Sequence, residues 1–118
     1  MIQFYGYDNC STCRNAKKWL EARGIAFESI DITQSPPPRK MLKAIVDSGA
    51  YELGQLYNTS GRRYREKNIA EQRKTLSDQQ QLDLLAGDGM LIKRPIVTDG
   101  RRHTVGFREA VFEEVWGA

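Results

Sequence analysis

The stretch Ile2-Gln3-Phe4-Tyr5-Gly6-Tyr7-Asp8-Asn9-Cys10-Ser11-Thr12-Cys13 decides the fold. Residues 2–7 are short, apolar and aromatic, the pattern of a buried strand. Asp8-Asn9 is a polar turn. A helix is expected from Ser11 to Arg23, because Ala16, Lys17, Lys18, Leu20, Glu21 and Ala22 are good helix formers. Cys13, Ala16 and Leu20 share one stripe of it, with Arg14, Lys17, Lys18 and Glu21 on the wetter side. Gly24 supplies the stop. Residues 25–32 then alternate, with Phe27, Ile30 and Ile32 apolar and Glu28 and Asp31 polar, and read as a second strand. Strand, helix and strand with short links specify a parallel pair joined by a right-handed crossover.

The pattern breaks at Gln34-Ser35-Pro36-Pro37-Pro38. A helix is expected over 38–47, with Met41, Leu42, Ile45 and Val46 on its apolar face. Residues 57–61, Tyr-Asn-Thr-Ser-Gly, read as a loop, and 68–71 as one or two helical turns. Ser77 caps a helix through Leu85. Residues 36–90 thus form a helical insert, with no second strand-helix-strand repeat, inside one domain spanning 1–118. Strands return at 95–98 and 103–107 around an Asp99-Gly100 turn that Arg101 and Arg102 could widen. A last helix is expected from Arg108 to Trp116, with Val111, Phe112, Val115 and Trp116 apolar. The order is βαβ, helical insert, ββα, an α/β class. Trp19 is expected to cover the first helix against the insert, and Trp116 to lock the last helix to the sheet. Tyr5 and Tyr7 read as packing, and His103 as a surface strand residue.

Composition excludes several classes. The chain has 118 residues, 18 Lys+Arg against 15 Asp+Glu, a net charge of +3 and a 40% apolar fraction, enough for one core. No apolar run approaches the ~18 residues of a membrane span. Met1 to Tyr5 shows none of the basic character of a signal peptide. The basic excess is mild and dispersed in pairs such as Arg62-Arg63, Lys93-Arg94 and Arg101-Arg102, whereas a nucleic-acid face concentrates charge. Two cysteines this close cannot staple a secreted scaffold, so a soluble cytoplasmic protein with a local dithiol is expected.

Cys10 and Cys13 fall where the first strand gives way to the first helix. Helix N-terminal N–H groups lack backbone partners and the dipole is positive there, so a Cys10 thiolate is stabilised and its pKa falls below the free value of about 8.5. Cys13, one turn on, is placed to attack a mixed disulfide at Cys10. The competing readings are a small buried hydrophobe at Cys13 and a zinc pair. For zinc the only further ligand of that kind is the distant His103, so no metal is expected.

Two arginines stand out. Pro95 at the mouth of a strand restricts Arg94 to extended backbone. Arg108 opens the last helix, where a cation is electrostatically misplaced but where it could hold an anion together with free N–H groups. The competing reading for each is a solvated surface arginine. Arg62, Arg63 and Arg65 around Tyr64 fit either a phosphate or partner contact or an ordinary wet helix.

Four stretches then carry a family resemblance over nearly the full length. Tyr5-Gly6-Tyr7-Asp8-Asn9-Cys10-Ser11-Thr12-Cys13-Arg14-Asn15-Ala16 resembles an active-site loop. Tyr57-Asn58-Thr59-Ser60-Gly61 with Tyr64 resembles a stretch of the insert. Leu91-Ile92-Lys93-Arg94-Pro95-Ile96 and Val105-Gly106-Phe107-Arg108 are the most specific signatures. The chain resembles the arsenate reductase-like branch of the thioredoxin-fold (glutaredoxin-like) proteins, which includes the Spx-type regulators.

The resemblance implies a cis Pro95 facing the active cysteine, Cys10 as nucleophile, and Arg94 and Arg108 as two of three oxyanion-holding arginines. Asn9, Ser11, Thr12, Asn58 and Pro95 join them as expected substrate-binding positions. Asn58 stands where the third arginine would be, which removes one charge-assisted pair from an arsenate clamp. Glutathione as co-substrate, with glutaredoxin or thioredoxin as reductant and no tightly bound cofactor, follows from the same resemblance. So does the alternative, a CxxC redox switch that binds RNA polymerase through the C-terminal domain of its α subunit.

Overall fold

The structure, a computed structural model, describes residues 1–117. It divides into two compact units, residues 1–32 with 94–118 and residues 33–93.

The first unit holds a four-stranded sheet of β1 (Ile2–Gly6), β2 (Phe27–Asp31), β3 (Ile96–Thr98) and β4 (His103–Val105), in the order β2-β1-β3-β4. β1 and β2 run parallel, with Tyr5 opposite Ile30. The connection between them is α1 (Ser11–Ala22), as short βα and αβ links require. β3 pairs antiparallel with β1, Phe4 opposite Val97, and β4 antiparallel with β3. This is the mixed α/β thioredoxin-like arrangement expected from the resemblance. Successive strand residues face opposite ways. Phe4 and Val97, on one face, form a buried cluster with Cys13, Ala16, Trp19 and Leu20 of α1 and with Phe112 and Trp116 of α6 (Glu109–Trp116). Full burial of each large side chain there contributes about 1.5–3 kcal/mol.

Ring geometry fixes the two helices on that face. Phe112 meets Trp19 and Phe107 edge-on, with centroids 5.4 and 4.8 Å apart. Trp116 locks α6 to β4 as expected, its indole N–H donating to Thr104 Oγ1 at 3.1 Å. The expectation for Trp19 is corrected. Its ring belongs to the core under α6, sandwiched by Phe112 and the Arg23 guanidinium 3.9 Å above it. Apolar spacing shows that Trp19 is buried but not against which element.

The hairpin turn is wide, since the strands stop at Thr98 and resume at His103. Asp99 Oδ1 accepts the N–H groups of Arg101 and Arg102, at 2.9 and 2.7 Å, and holds the loop. These bonds depress the Asp99 carboxyl to a pKa of about 2 against the opposing effect of burial. Several boundaries differ from the sequence reading: β1 ends at Gly6 rather than Tyr7, β2 at Asp31 rather than Ile32 and β4 at Val105 rather than Phe107. β2 starts at Phe27 rather than Ile25, because Ile25 N–H still bonds Leu20 O in the turn after α1. β3 starts after Pro95, and Arg108 is the residue before α6 rather than its first turn.

The second unit is helical: α2 (Arg39–Asp47), α3 (Arg62–Glu66), α4 (Ile69–Gln72) and α5 (Asp78–Ala86), with 3₁₀ turns at Leu53–Leu56 and Gly89–Leu91. Ser77 caps α5 reciprocally with Gln80, each side chain accepting the other residue's N–H. Residues 57–61 form the expected loop, anchored by the Tyr57–Ile92 bridge and by Asn58 N–H to Leu91 O at 2.8 Å. Under it lies a polar knot. Gln81 Oε1 accepts from both Tyr57 Oη and Arg73 Nε at 3.2 Å, and Arg73 Nη1 donates to Tyr64 Oη at 3.3 Å.

Candidate active site

The loop between β1 and α1 is built so that a sulfur takes the capping position of a helix. Cys10 has extended backbone, φ −94° and ψ 113°, and directly precedes α1. Its N–H donates to Tyr7 O, at 3.0 Å, which folds the chain back over residues 7–10. Arg14 Nη1 donates to Asp8 O at 2.7 Å and ties the same loop to the first turn of the helix. Cys10 Sγ then accepts the Cys13 N–H at 3.3 Å, the bond that a serine or aspartate oxygen makes at an ordinary N-cap. Both cysteines are free thiols, Cys10 half-buried and Cys13 buried.

The two thiols are driven apart chemically. Burial works to raise the Cys10 pKa. The hydrogen bonds from Cys13 and the adjacent Arg94 guanidinium outweigh it, so the thiol ends below its usual range. Cys13 goes the other way, to about 12. Burial leads, and the bond with Cys10 and the Cys10 charge add to it, while a backbone hydrogen bond from Tyr7 pulls back. At neutral pH the site therefore holds one thiolate-prone sulfur and one protonated sulfur.

Arg94 is partly buried and leads through a cis peptide bond into Pro95, as the resemblance implied for that proline. Its guanidinium lies 5.4 Å from the Tyr7 ring centroid as well as beside Cys10. Pro95 is buried, and its carbonyl accepts Gly106 N–H at 2.9 Å. Gly106 makes that approach at φ +78°, a region most other residues avoid. The two signature stretches around Pro95 and Gly106 are thus locked side by side.

The structure does not join every expected residue to this group. Arg108 is exposed. It caps α6 without a side-chain hydrogen bond, and no ion pair or hydrogen bond fixes its guanidinium among the described residues. Ser11 and Thr12 are exposed in the first turn of α1. Asn9 is exposed and its amide donates to Tyr7 Oη at 3.3 Å. Asn58 belongs to the second unit, where its side chain lies over Gly61. Arg63 and Lys67 converge on Asp88, at 2.9 and 3.5 Å, and Arg65 donates to Ser60 O, so these cations hold their own unit together.

Two residues of the site are not evident from the sequence. Tyr7 is corrected from packing to a member of the site through Arg94, Asn9 and both cysteines. Strand alternation places its ring but does not show which cation lies over it. Gly6 carries no signal of its own in the sequence. A Cβ there would stand 2.5 Å from Phe4 Cε1 and 3.4 Å from Cys13 Sγ, so the strand must lack a side chain for Phe4 and Cys13 to pack. A cavity of about 630 Å³ in the second unit is lined by Arg63, Lys67, Asp83 and Asp88 and contains no sulfur.

The model of the ArsC family matches residues 5–115. The chain belongs to the ArsC family. Relatives include the uncharacterized protein YusI of Bacillus subtilis (strain 168), 50% identical over 98% of each chain. They also include the global transcriptional regulator Spx of Streptococcus pneumoniae, 30% identical over 92% of this chain and 80% of that one. Among solved structures, a possible arsenate reductase from Streptococcus mutans UA159 superposes with a TM-score of 0.85, at 37% identity over 92% of both chains. The chain is thus similar both to a protein named as a possible arsenate reductase and to one named as a transcriptional regulator. No helix is long and apolar enough to cross a membrane among the described residues.

Proposed function

We propose that this ArsC-family protein is a thiol-dependent oxidoreductase in which Cys10 attacks a disulfide or an oxyanion. The observation that carries the reading is the placement of Cys10 Sγ at the cap of α1, accepting the Cys13 N–H with the Arg94 guanidinium alongside. A sulfur so placed ionises more readily than a free thiol, with no adjacent general base required.

For a disulfide R–S–S–R′, the Cys10 thiolate displaces R′S⁻ and forms a Cys10–S–S–R mixed disulfide. Cys13 then loses its proton to solvent and attacks the Cys10 sulfur, releasing RS⁻ and leaving a Cys10–Cys13 disulfide. Two electrons from glutathione, glutaredoxin or thioredoxin restore both thiols. The pair is ordered by its own electrostatics. The bond to Cys10 and the Cys10 charge, which add to burial in holding the Cys13 proton, disappear once Cys10 is in covalent linkage, so Cys13 gives up its proton more readily then.

Arg94 supplies positive charge to an anionic substrate such as glutathione or its adduct, and Arg108 stands exposed as the second cation. Asn58, where the family resemblance implies a third arginine, favours disulfides or glutathione adducts over arsenate.

Reductive turnover by the purified protein is the test, with glutathione, glutaredoxin and thioredoxin systems each supplied in turn. Activity on small disulfides that vanishes in Cys10→Ser is the expected result. No turnover with any reductant, on disulfides or arsenate, contradicts the reading.

The likeness to Spx over 92% of the chain favours one second reading, a redox-sensing adaptor for RNA polymerase. Capture of the C-terminal domain of the polymerase α subunit, tested with oxidised and reduced protein, separates it from the first. Binding in neither state removes it.

A further inference from the structure

We propose that Tyr7 is a positioning residue that seats Arg94 against the Cys10 sulfur by stacking beneath its guanidinium. The inference rests on the thiolate reading above and adds a residue to it.

Four contacts meet on Tyr7. Its ring lies 5.4 Å from Arg94 Cζ. Its carbonyl accepts the Cys10 N–H at 3.0 Å. Its hydroxyl accepts from Asn9 Nδ2 at 3.3 Å. Its own backbone hydrogen-bonds Cys13. The backbone contacts survive any substitution that keeps the loop, so what the side chain adds is the ring face and the hydroxyl.

Of these the ring face bears on Arg94. An arginine has four rotatable side-chain bonds, and a point charge on so long a stem acts on a sulfur only in proportion to the time it spends there. A planar guanidinium stacks on an aromatic face without giving up its in-plane N–H donors. Tyr7 can therefore hold Arg94 while leaving donors for a thiolate or for an anionic substrate. The hydroxyl's partner is the exposed Asn9 amide, a contact of little weight beside the ring face.

Alkylation of the reduced protein by iodoacetamide as a function of pH is the test. Cys13, at about 12, stays silent in the range where Cys10 ionises. Tyr7→Leu should raise the Cys10 midpoint and slow alkylation at pH 7 by about threefold or more, the scale of a cation–π contact. Tyr7→Phe keeps the ring and should keep the wild-type midpoint.

The decisive comparison is the double variant. With Arg94→Leu already present, Tyr7→Leu should add nothing, because its effect passes through Arg94. Tyr7→Met serves the same purpose if Tyr7→Leu does not fold. A Tyr7→Leu midpoint equal to wild type, or an equal shift with and without Arg94, overturns the inference and leaves the thiolate reading standing. A wild-type midpoint at the free value of about 8.5, with no effect of Arg94→Leu, contradicts that reading and this inference together.

Discussion

Two arginines of this protein lie over tyrosine rings, and their surroundings differ. Arg73 lies 4.5 Å from the Tyr57 ring centroid and donates to Gln81 and Tyr64, both largely buried, in the second unit. Arg94 lies over Tyr7 in the first unit, beside a half-buried sulfur. Around Arg73 the neighbouring acceptors are largely buried protein oxygens, and burial, against the opposing Arg73 charge, pushes the Tyr57 hydroxyl up to about 12. Around Arg94 the neighbour is a group that changes charge and is partly open to solvent. On the proposal above, the same side-chain pair is a structural clamp in one unit and the seat of a reactive thiol in the other. A cation's role is read from what it faces, not from its stacking partner.

The largest expected effect breaks the clamp. Arg73→Ala leaves the Gln81 carbonyl and the Tyr64 hydroxyl without this donor and should cost about 2–3 kcal/mol in urea unfolding. The Cys10 alkylation profile should not move. A stability loss together with a Cys10 shift would erase the distinction between the two arginines.

Gly6→Ala comes next. Its methyl group must displace the Phe4 ring or the strand, and overpacking of this kind costs about 1–3 kcal/mol. Wild-type stability in the same denaturation series would show that β1 has slack under Cys13.

Arg94→Leu should behave as the opposite of Arg73→Ala. Its stability cost should be smaller than that of Arg73→Ala, while the Cys10 midpoint rises because a favourable charge is gone. A thermal melt and an alkylation profile of the same preparation check both halves.

The smallest effect concerns Asp99, whose partner Arg102 is an ion-paired cation of the first unit. The Asp99 pKa is depressed from 3.8 to about 2 in the folded protein. Its contribution is present above the unfolded value and is lost as pH falls from about 4 through about 2. Asp99→Asn should remove about 1 kcal/mol of that acid-sensitive stability and flatten unfolding over this window. A wild-type slope in the variant would show that the turn carboxylate is idle.

The βαβ start, the hairpin and the capped α5 were legible because each depends on local chemistry: apolar alternation, an Asp-Gly turn, a Ser77 cap. The thiol loop was legible for a similar reason, since a cysteine placed one residue before a helix must face that helix's unsatisfied N–H groups. Contacts between distant segments were not. Nothing in the spacing of residues 7 and 94 announces a stacked pair. Nor does the pattern of α1 show that Trp19 meets Phe112 from α6. The roles of Arg63 and Arg65 stayed open for the same reason, because Asp88 and Ser60 O become their partners only once the helices of the second unit have packed. Pro95 lies between the two cases. Its place at a strand mouth was readable, whereas its cis bond came from the family pattern and is present in the structure.

The central claim is that the two cysteines of one short motif have opposite chemistry. Alkylation of the reduced protein with iodoacetamide from pH 5 to pH 10, with peptide mapping to assign the label, tests it most directly. The expected result is modification at Cys10 with a midpoint below the free-thiol value of about 8.5, and none at Cys13 across the range. Label at Cys13 first, or equal labelling of both with midpoints near 8.5, would contradict it.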